Sequence, residues 1–425
     1  MRWGLAAGVG AVALIGAAEA QTPVRLGPPA GGTASYRIGA VTTSGLGAMM
    51  GGRSGGMSAM MGAMMGSGGG GGGAIRSLDL ELGSNATVRG APTGEHQIPV
   101  GMNMGATLPL VTPRPGAPVG TVRDERGRPG ETSQPSGRML LFWGCGAKAR
   151  PGQPVVIDFA KLAGAAQSGQ TAAIMQMSRA MAGMGRGMSS AMGSSGGFAR
   201  GKFTTVGVWP NERARTNVPA RASLVGDHLI RSSYTPDIRF TMAPGQDFLD
   251  AFRFTRNARD PDNSVGLAWQ PIGGALAYAA MAFGGGNDQM VVWTSSEVQT
   301  ESSAGEFASA DEIARLVQQR ILLSPQTTRC AVPAEAVRAM RDGGMLMTTG
   351  YGPTHVFSFP SRPAKALASW APDWTTKVGT KSTHTGLLGE EMPEMEDGDS
   401  RTTDRDARPS PRRKRGVVEG LGLPF

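Results

Sequence analysis

The chain has 425 residues, of which 65 are Gly and 29 are Pro, a proportion that favours extensive irregular backbone. Its formal charge is +9, yet no basic run is interleaved with aromatic residues, which argues against a nucleic-acid-binding protein. Composition therefore argues against a chain that is folded throughout, and predicts one large or two small folded domains.

The first twenty residues have the pattern of a secretory signal peptide. Arg2 supplies the positive start, residues 3–18 are uncharged and apolar, and Ala18-Glu19-Ala20 matches the small-x-small cleavage site. The apolar run is shorter than the roughly 20 residues that a membrane-spanning helix needs. We therefore expect cleavage before Gln21, export by the general secretion route, and no transmembrane segment afterwards. The expected location is the periplasm, with secretion into the medium as the alternative.

Changes in composition divide the rest of the chain into three segments. Residues 21–74 form a low-complexity segment rich in Met and Gly, with a strand expected around Tyr36–Val41. Residues 75–360 carry strand and helix patterns and are the predicted folded region, which a second Met/Gly-rich tract at 174–197 interrupts. Residues 361–425 contain blocks of opposite charge, which predict a largely disordered tail.

Short apolar or alternating segments, separated by turn residues, predict β-strands in the folded region. They are LDLEL (78–82), RMLLFWGCG (138–146), PVVIDF (154–159), FTTVGVW (203–209), SLVGDHLI (223–230), DIRFTM (237–242), VGLAW (265–269), ALAYAAMAF (275–283), MVVWTSS (290–296), MLMTTGYG (345–352) and HVFSF (355–359). Strands this short and this closely spaced predict an α+β fold that is mainly antiparallel β and sandwich-like.

Two helices are predicted late in the chain. The first is SADEIARLVQQRILL, in which Ser309 and Glu312 have the spacing of a capping box and the apolar residues fall on one face. The second is PAEAVRAMRDGG, which has Pro333 in its first turn and Gly343 just past its end.

The two cysteines, Cys145 and Cys330, predict a disulfide bond because an even count in an oxidising compartment favours pairing. Two free thiols are the alternative. In the ideal chain-entropy model a loop of this length contributes about 5 kcal/mol of stability. The bond would join the first folded segment to a late helix.

Clusters of methionine raise the hypothesis of copper(I) binding, because soft thioether ligands suit that ion. The alternatives are disordered low-complexity sequence or an adaptable apolar surface for a partner or membrane. The methionines with helical spacing are Met57, Met60, Met61, Met64 and Met65 in the first tract, and Met177, Met181, Met184 and Met188 in the second.

Catalytic signals are weak. The four histidines have no metal-ligand spacing, and Ser54 and Ser195 fit the G-x-S-x-G pattern only within Gly-rich tracts that lack the strand and helix context. Asp227 and His228 could form an acid–base pair, although a hydrogen-bonded structural histidine is the more common case in such an apolar strand. No catalytic, cofactor-binding or metal-binding residue is assigned, and no cofactor is expected.

Two resemblances add to this interpretation. VGLAWQPIGGALAY and the following strand, residues 264–297, resemble the first hairpin of a fibronectin type III-like module, which implies that Trp269 and Tyr278 lie in a core. The succession MLLFWGCG, GQPVVIDFAK, VWPNE, SLVGDH, VVWTSSE and TTRCAVPAE is similar to an uncharacterised family of exported proteins from Gram-negative proteobacteria. That family implies export but supplies no activity and no site residues.

We therefore expect an exported, soluble protein with a non-catalytic binding or scaffold role and an unidentified partner in the cell envelope. Two alternatives belong to other functional classes. One is a copper(I)-binding envelope protein that uses the Met-rich tracts, and the other is an envelope hydrolase that uses Asp227 and His228.

Export predicts a defined mature N-terminus. In a bacterial host the periplasmic protein should begin at Gln21, and intact mass with N-terminal peptide sequencing measures this. A variant with Ala20→Phe should accumulate with its first twenty residues, because the cleavage site requires a small residue there. A periplasmic protein that keeps Met1 would contradict the prediction.

Overall fold

The structure is a computed structural model that describes residues 33–50, 73–86, 88–113, 137–167, 202–286, 288–300, 303–341, 343–362 and 371–389. The signal peptide, the nine clustered methionines, Ser54 and Ser195 lie outside these residues, as does the sequence from residue 390 onward. None of the helices in the described ranges has the length and apolar character needed to cross a bilayer.

The described residues form sixteen strands and four α-helices. In chain order the strands are β1 (Ala34–Gly45), β2 (Ile75–Ser84), β3 (Gly94–Gln97), β4 (Thr107–Pro109), β5 (Arg138–Trp143), β6 (Val155–Asp158), β7 (Thr205–Trp209), β8 (Gly226–Ser232), β9 (Ile238–Met242), β10 (Phe254–Arg259), β11 (Val265–Trp269), β12 (Ala277–Gly286), β13 (Gln289–Thr294), β14 (Arg329–Val332), β15 (Gly344–Phe359) and β16 (Trp374–Leu387). The helices are α1 (Leu46–Met50), α2 (Phe159–Gln167), α3 (Ala310–Gln318) and α4 (Ala334–Ala339).

Nine of the strands form one large mixed sheet in the order β6-β5-β13-β12-β15-β16-β1-β2-β7. Most neighbours are antiparallel, but β1 pairs parallel with β16, and β13 pairs parallel with β5. Because side chains alternate along a strand and residues in register share a side, the sheet has two distinct faces. On β1 these are the face of Tyr36, Ile38 and Ala40, which is buried, and the opposite face, on which Arg37 and Thr43 are half-buried and Val41 is buried.

Two smaller sheets cover the apolar face of the large sheet. The four-stranded sheet β4-β3-β8-β9 packs on β1 and β2, where Ile38, Leu80 and Ile230 belong to one buried cluster. The three-stranded sheet β10-β11-β14 and helix α4 pack on β12 and β13 around a second cluster that includes Trp269 and Trp293. Burial of each large apolar side chain contributes roughly 1.5–3 kcal/mol, so these two layers account for most of the apolar stabilisation.

Helices α1, α2 and α3 pack on the opposite face of the large sheet, which we call the helical face. It carries Thr43 on β1, Thr383 and Thr385 on β16, and Met281 on β12, because these residues lie in register with one another or with shared neighbours. The backbone of α1 lies against Thr43 and Thr385 at Gly47. Helix α2 packs on Leu141 and Val292, and α3 belongs to a cluster with Ala277 and Tyr351.

The predicted fold class is confirmed, since the described chain is α+β, mainly antiparallel β and sandwich-like. Both predicted helices are present, and the Ser309 hydroxyl caps α3 by accepting a hydrogen bond from the Glu312 backbone N–H at 3.1 Å. Each predicted strand segment overlaps a strand of the structure. Trp269 and Tyr278 lie in one buried cluster with their ring centroids 5.6 Å apart, while their strands β11 and β12 belong to different sheets.

The structure differs from the sequence-based interpretation in three places. Residue 360 does not end the fold, because β16 is an interior strand of the large sheet. The strand expected around Tyr36–Val41 is present as β1, which places twelve residues of the predicted low-complexity segment in the same sheet. MLMTTGYG and HVFSF are not a strand pair but the single strand β15, which a register shift after Tyr351 interrupts. Strands β3, β4, β10 and β14 were not predicted because they are short or rich in polar residues.

The predicted disulfide between Cys145 and Cys330 is confirmed. Cys145 follows β5 of the large sheet, whereas Cys330 lies in β14 and not in a helix as the sequence indicated. The bond therefore joins the large sheet to the three-stranded sheet that covers it.

The central position of β16 leads to a truncation experiment. A chain that ends at residue 372 should lose cooperative thermal unfolding, because both β15 and β1 then lose a neighbour along most of their length. A control chain that ends at Gly389 keeps every described strand and should unfold cooperatively. Circular dichroism melting curves distinguish the two, and a cooperative transition in the shorter chain would contradict this role for β16.

Candidate functional site

Two of the four histidines, far apart in sequence, meet between the large sheet and the four-stranded sheet. The Tyr36 hydroxyl on β1 lies 2.9 Å from Nδ1 of His96 on β3, and Nε2 of His96 lies 2.9 Å from Nδ1 of His228 on β8. Nε2 of His228 lies 2.7 Å from the backbone carbonyl oxygen of Leu224. His96 and His228 are 1% and 2% exposed, so this chain of hydrogen bonds is shielded from water.

The Leu224 carbonyl sets the direction of the whole chain. A carbonyl oxygen can only accept a hydrogen bond, so Nε2 of His228 must carry the proton. In a neutral imidazole, Nδ1 of His228 is then unprotonated and accepts a hydrogen bond from His96. His96 then donates from Nε2 and accepts at Nδ1 from the Tyr36 hydroxyl. Burial lowers the pKa of both imidazoles, and the proximity of His228 lowers the pKa of His96 further. Both histidines are therefore neutral structural groups that link two sheets.

Asp227 and His228 do not form an acid–base pair. They are neighbours on β8 and so point to opposite sides, and the Asp227 carboxylate accepts a hydrogen bond from the Thr241 hydroxyl at 2.6 Å. His228 stacks on Phe240 with ring centroids 4.7 Å apart. The side chain is enclosed between sheets, a position that gives no support to a hydrolase that uses this pair.

A Ser–His contact that the sequence did not reveal has its hydrogen bonds oriented the wrong way for a nucleophile. The Ser44 hydroxyl on β1 lies 2.7 Å from the Phe252 carbonyl oxygen and 3.0 Å from Nδ1 of His384 on β16. Ser44 donates its proton to the carbonyl, so its oxygen accepts from the imidazole N–H instead of giving a proton to it. Burial lowers the pKa of His384 to about 4.

The described residues contain no group of three or more His, Cys, Asp or Glu side chains that could hold a metal ion. The methionine tracts of the copper hypothesis lie outside the described residues, so that hypothesis stays a prediction.

A cleft with a volume of about 100 Å³ opens on the helical face. Its floor is formed by β12 and β15, and its walls by residues 294–296, Thr300 and Ser303, and by Ile321 and Leu322 after α3. Seven of its side chains carry hydroxyl groups: Thr294, Ser295, Ser296, Thr300, Ser303, Thr349 and Tyr351. Apart from the phenol of Tyr351, none of the lining residues that the structure describes has an ionisable side chain. The described lining therefore offers mainly hydroxyl groups for hydrogen bonding.

Two of the wall hydroxyls hold the loop in place. The Ser295 hydroxyl accepts from the Ala280 backbone N–H at 2.9 Å, and the Ser296 hydroxyl donates to the Val298 carbonyl at 2.8 Å. These bonds hold Ser295 and Ser296 at the edge of the cleft. Thr349 lies on the floor of the cleft, in register with Ala279 on the neighbouring strand.

One end of the cleft adjoins a buried lysine. Tyr351, which lines the cleft, lies in register with Lys381 on β16, and the Lys381 ammonium lies 5.6 Å from the centre of the phenol ring. Burial lowers the pKa of Lys381, while the carboxylate of Glu306 acts in the opposite direction. The segment at Glu306 packs directly on the sheet, since a side chain at Gly379 would come within 3.0 Å of the Glu306 carbonyl oxygen. Sequence reasoning missed this group because its members lie far apart in the chain.

Neutral buried histidines make stability depend on pH. Between pH 6.5 and 5, the unfolded chain takes up protons at His96 and His384 that the folded chain does not bind. The free energy of unfolding should therefore fall as the pH falls, by about 1.4 kcal/mol per pH unit for each histidine that stays neutral. Carboxylates titrate mainly below this window.

Urea unfolding at several pH values between 5 and 6.5 measures this slope. His384→Gln should reduce the slope by the share of one histidine, whereas Val100→Ala, at a side chain that is 91% exposed, should leave it unchanged. Equal slopes in the two variants would show that His384 is protonated in the folded protein.

Searches against protein-family models, curated proteins and solved structures find no significant match to this chain. The resemblances to an exported protein family and to a fibronectin type III-like hairpin therefore stay predictions, and any functional interpretation depends on the geometry of the cleft.

Proposed function

We propose that the protein is an exported, non-catalytic binding protein of the cell envelope, and that its ligand site is the hydroxyl-lined cleft on the helical face. The observation that carries this proposal is the lining of the cleft, which combines further hydroxyl groups, besides those of Ser295 and Ser296 that hold the wall, with apolar side chains such as Met281 and Met347. Hydroxyl groups both donate and accept hydrogen bonds, so they suit an uncharged polar ligand.

The absence of a reactive pair along the described cleft lining supports binding over catalysis. General acid–base and nucleophilic mechanisms need a carboxylate, imidazole, amine or thiol within hydrogen-bond reach of the substrate. The imidazoles of His96, His228 and His384 are instead held by structural hydrogen bonds elsewhere. Lys381 lies beyond Tyr351 and does not line the cleft.

The disulfide supports the proposed location. Cys145 and Cys330 are the only cysteines of the chain, and bonds of this kind persist in oxidising compartments such as the periplasm. Together with the signal-peptide pattern, this favours a partner or ligand that is found in the envelope.

Filling the cleft tests the proposal. Protein isolated from the periplasm of an exporting host should carry a non-covalent small-molecule adduct in native mass spectrometry. Ala279→Phe places a ring on the floor of the cleft and should remove the adduct, whereas Ala160→Phe, at an exposed position on α2, should retain it. Both variants should keep cooperative unfolding. A wild-type protein without any adduct, or an adduct of equal occupancy in Ala279→Phe, would refute the proposed site.

A further inference from the structure

The helical face changes from polar to apolar along the strands. At one end Tyr351 and Lys381 form a cross-strand pair, and two residues further along the strands Thr349 pairs with Thr383. The next pair is Met347 and Thr385. Successive pairs on one face are about 7 Å apart. The side chains on this face therefore change from the charged Lys381, through the hydroxyl groups of Thr349 and Thr383, to the thioether of Met347 within about 13 Å.

The next cross-strand row on this face is entirely apolar. Met345 on β15 lies in register with Phe283 on β12 and with Leu387 on β16, and Phe283 lies in register with Val292 on β13. Leu387 is 43% exposed, and Met290, two residues before Val292, is 38% exposed. Phe283 and Met345 are partly exposed. Large apolar side chains that stay accessible in one contiguous row are typical of a binding surface.

This apolar row has helices at both ends. Helix α1 lies against Thr385 at one end, two residues before Leu387. Helix α2 packs on Leu141 and Val292 at the other end. The exposed middle, which consists of Phe283, Met345 and Leu387, therefore lies between two helices.

The apolar row is continuous with the cleft. Met281 and Met347 line the cleft, and each is two residues along its strand from a member of the apolar row, Phe283 and Met345 respectively. The flexible thioether side chains adapt to ligands of different shape. A ligand in the cleft that extends along the strands in this direction passes from hydroxyl groups directly onto apolar side chains.

We propose that this face binds a single-chain amphiphile, with an uncharged hydroxylated head in the cleft and its alkyl chain along Met281, Phe283, Met345 and Leu387. The inference rests on the proposed function of the cleft and adds the chemical class of the ligand. An uncharged head matches the cleft because none of its described lining residues has a charged side chain. An alkyl chain matches the row because each buried methylene gains free energy from leaving water.

Binding of maltose and of octyl, decyl and dodecyl maltoside, each below its micelle concentration, tests the inference by isothermal titration calorimetry. Affinity should rise with chain length, by roughly twofold to fourfold per methylene that the row buries. Leu387→Ser and Phe283→Ser should each weaken dodecyl maltoside binding at least tenfold while the affinity for maltose stays unchanged. Val356→Ser, at another exposed apolar side chain of β15, should bind like the wild type.

Leu387 is the safer of the two substitutions, since its side chain is already 43% exposed. Equal affinity for maltose and dodecyl maltoside would overturn the inference and leave the proposed cleft intact, whereas binding that survives Ala279→Phe would argue against the cleft itself. Failure of dodecyl maltoside to bind the wild type would also overturn the inference. Co-sedimentation with phosphatidylcholine vesicles that Leu387→Ser abolishes, without binding of the monomeric maltosides, would identify a membrane surface as the occupant and refute a free amphiphile.

Discussion

β16 lies between β15 and β1 and so joins the two parts of the nine-stranded sheet. It pairs antiparallel with one neighbour and parallel with the other, over nearly its whole length. Because side chains alternate, the same strand supplies Val378 to the buried core on one face and Lys381 and Thr383 to the helical face on the other. The core under the four-stranded sheet and the polar half of the helical face therefore depend on a single strand and its register.

The two faces of the large sheet have different roles. The apolar face is closed by two smaller sheets, and the polar groups trapped there are satisfied within the protein, as in the hydrogen-bonded series from Tyr36 through His96 and His228 to Leu224. A buried polar group without a partner is costly, so such a series also determines how the sheets are positioned. The histidines His96 and His228, which could act as acid or base groups in other settings, therefore stabilise the packing of the two sheets.

The helical face is covered only in part, by three helices and the segment before α3. Between them lie the hydroxyl-lined cleft, next to the buried Lys381, and accessible apolar side chains toward Leu387. This arrangement places hydrogen-bonding and apolar surfaces next to each other without an acid–base pair along the described lining of the cleft. It is the physical basis of the binding role that we propose.

The sequence by itself was sufficient for features that depend on local patterns. Alternation in LDLEL and SLVGDHLI predicted strands, Ser309 and Glu312 predicted the start of α3, and two cysteines in a chain with a predicted export signal predicted their bond. It was insufficient for β16, where Thr, Ser, Lys and Gly outnumber the apolar residues and hydrophobic periodicity is weak. Only the tertiary structure brought His96 to His228 and assembled the cleft from β12, β15 and the loops around α3, because those contacts join residues far apart in the chain. Local propensity and periodicity act over a few residues, whereas a site of this kind depends on strand order and register in the whole sheet.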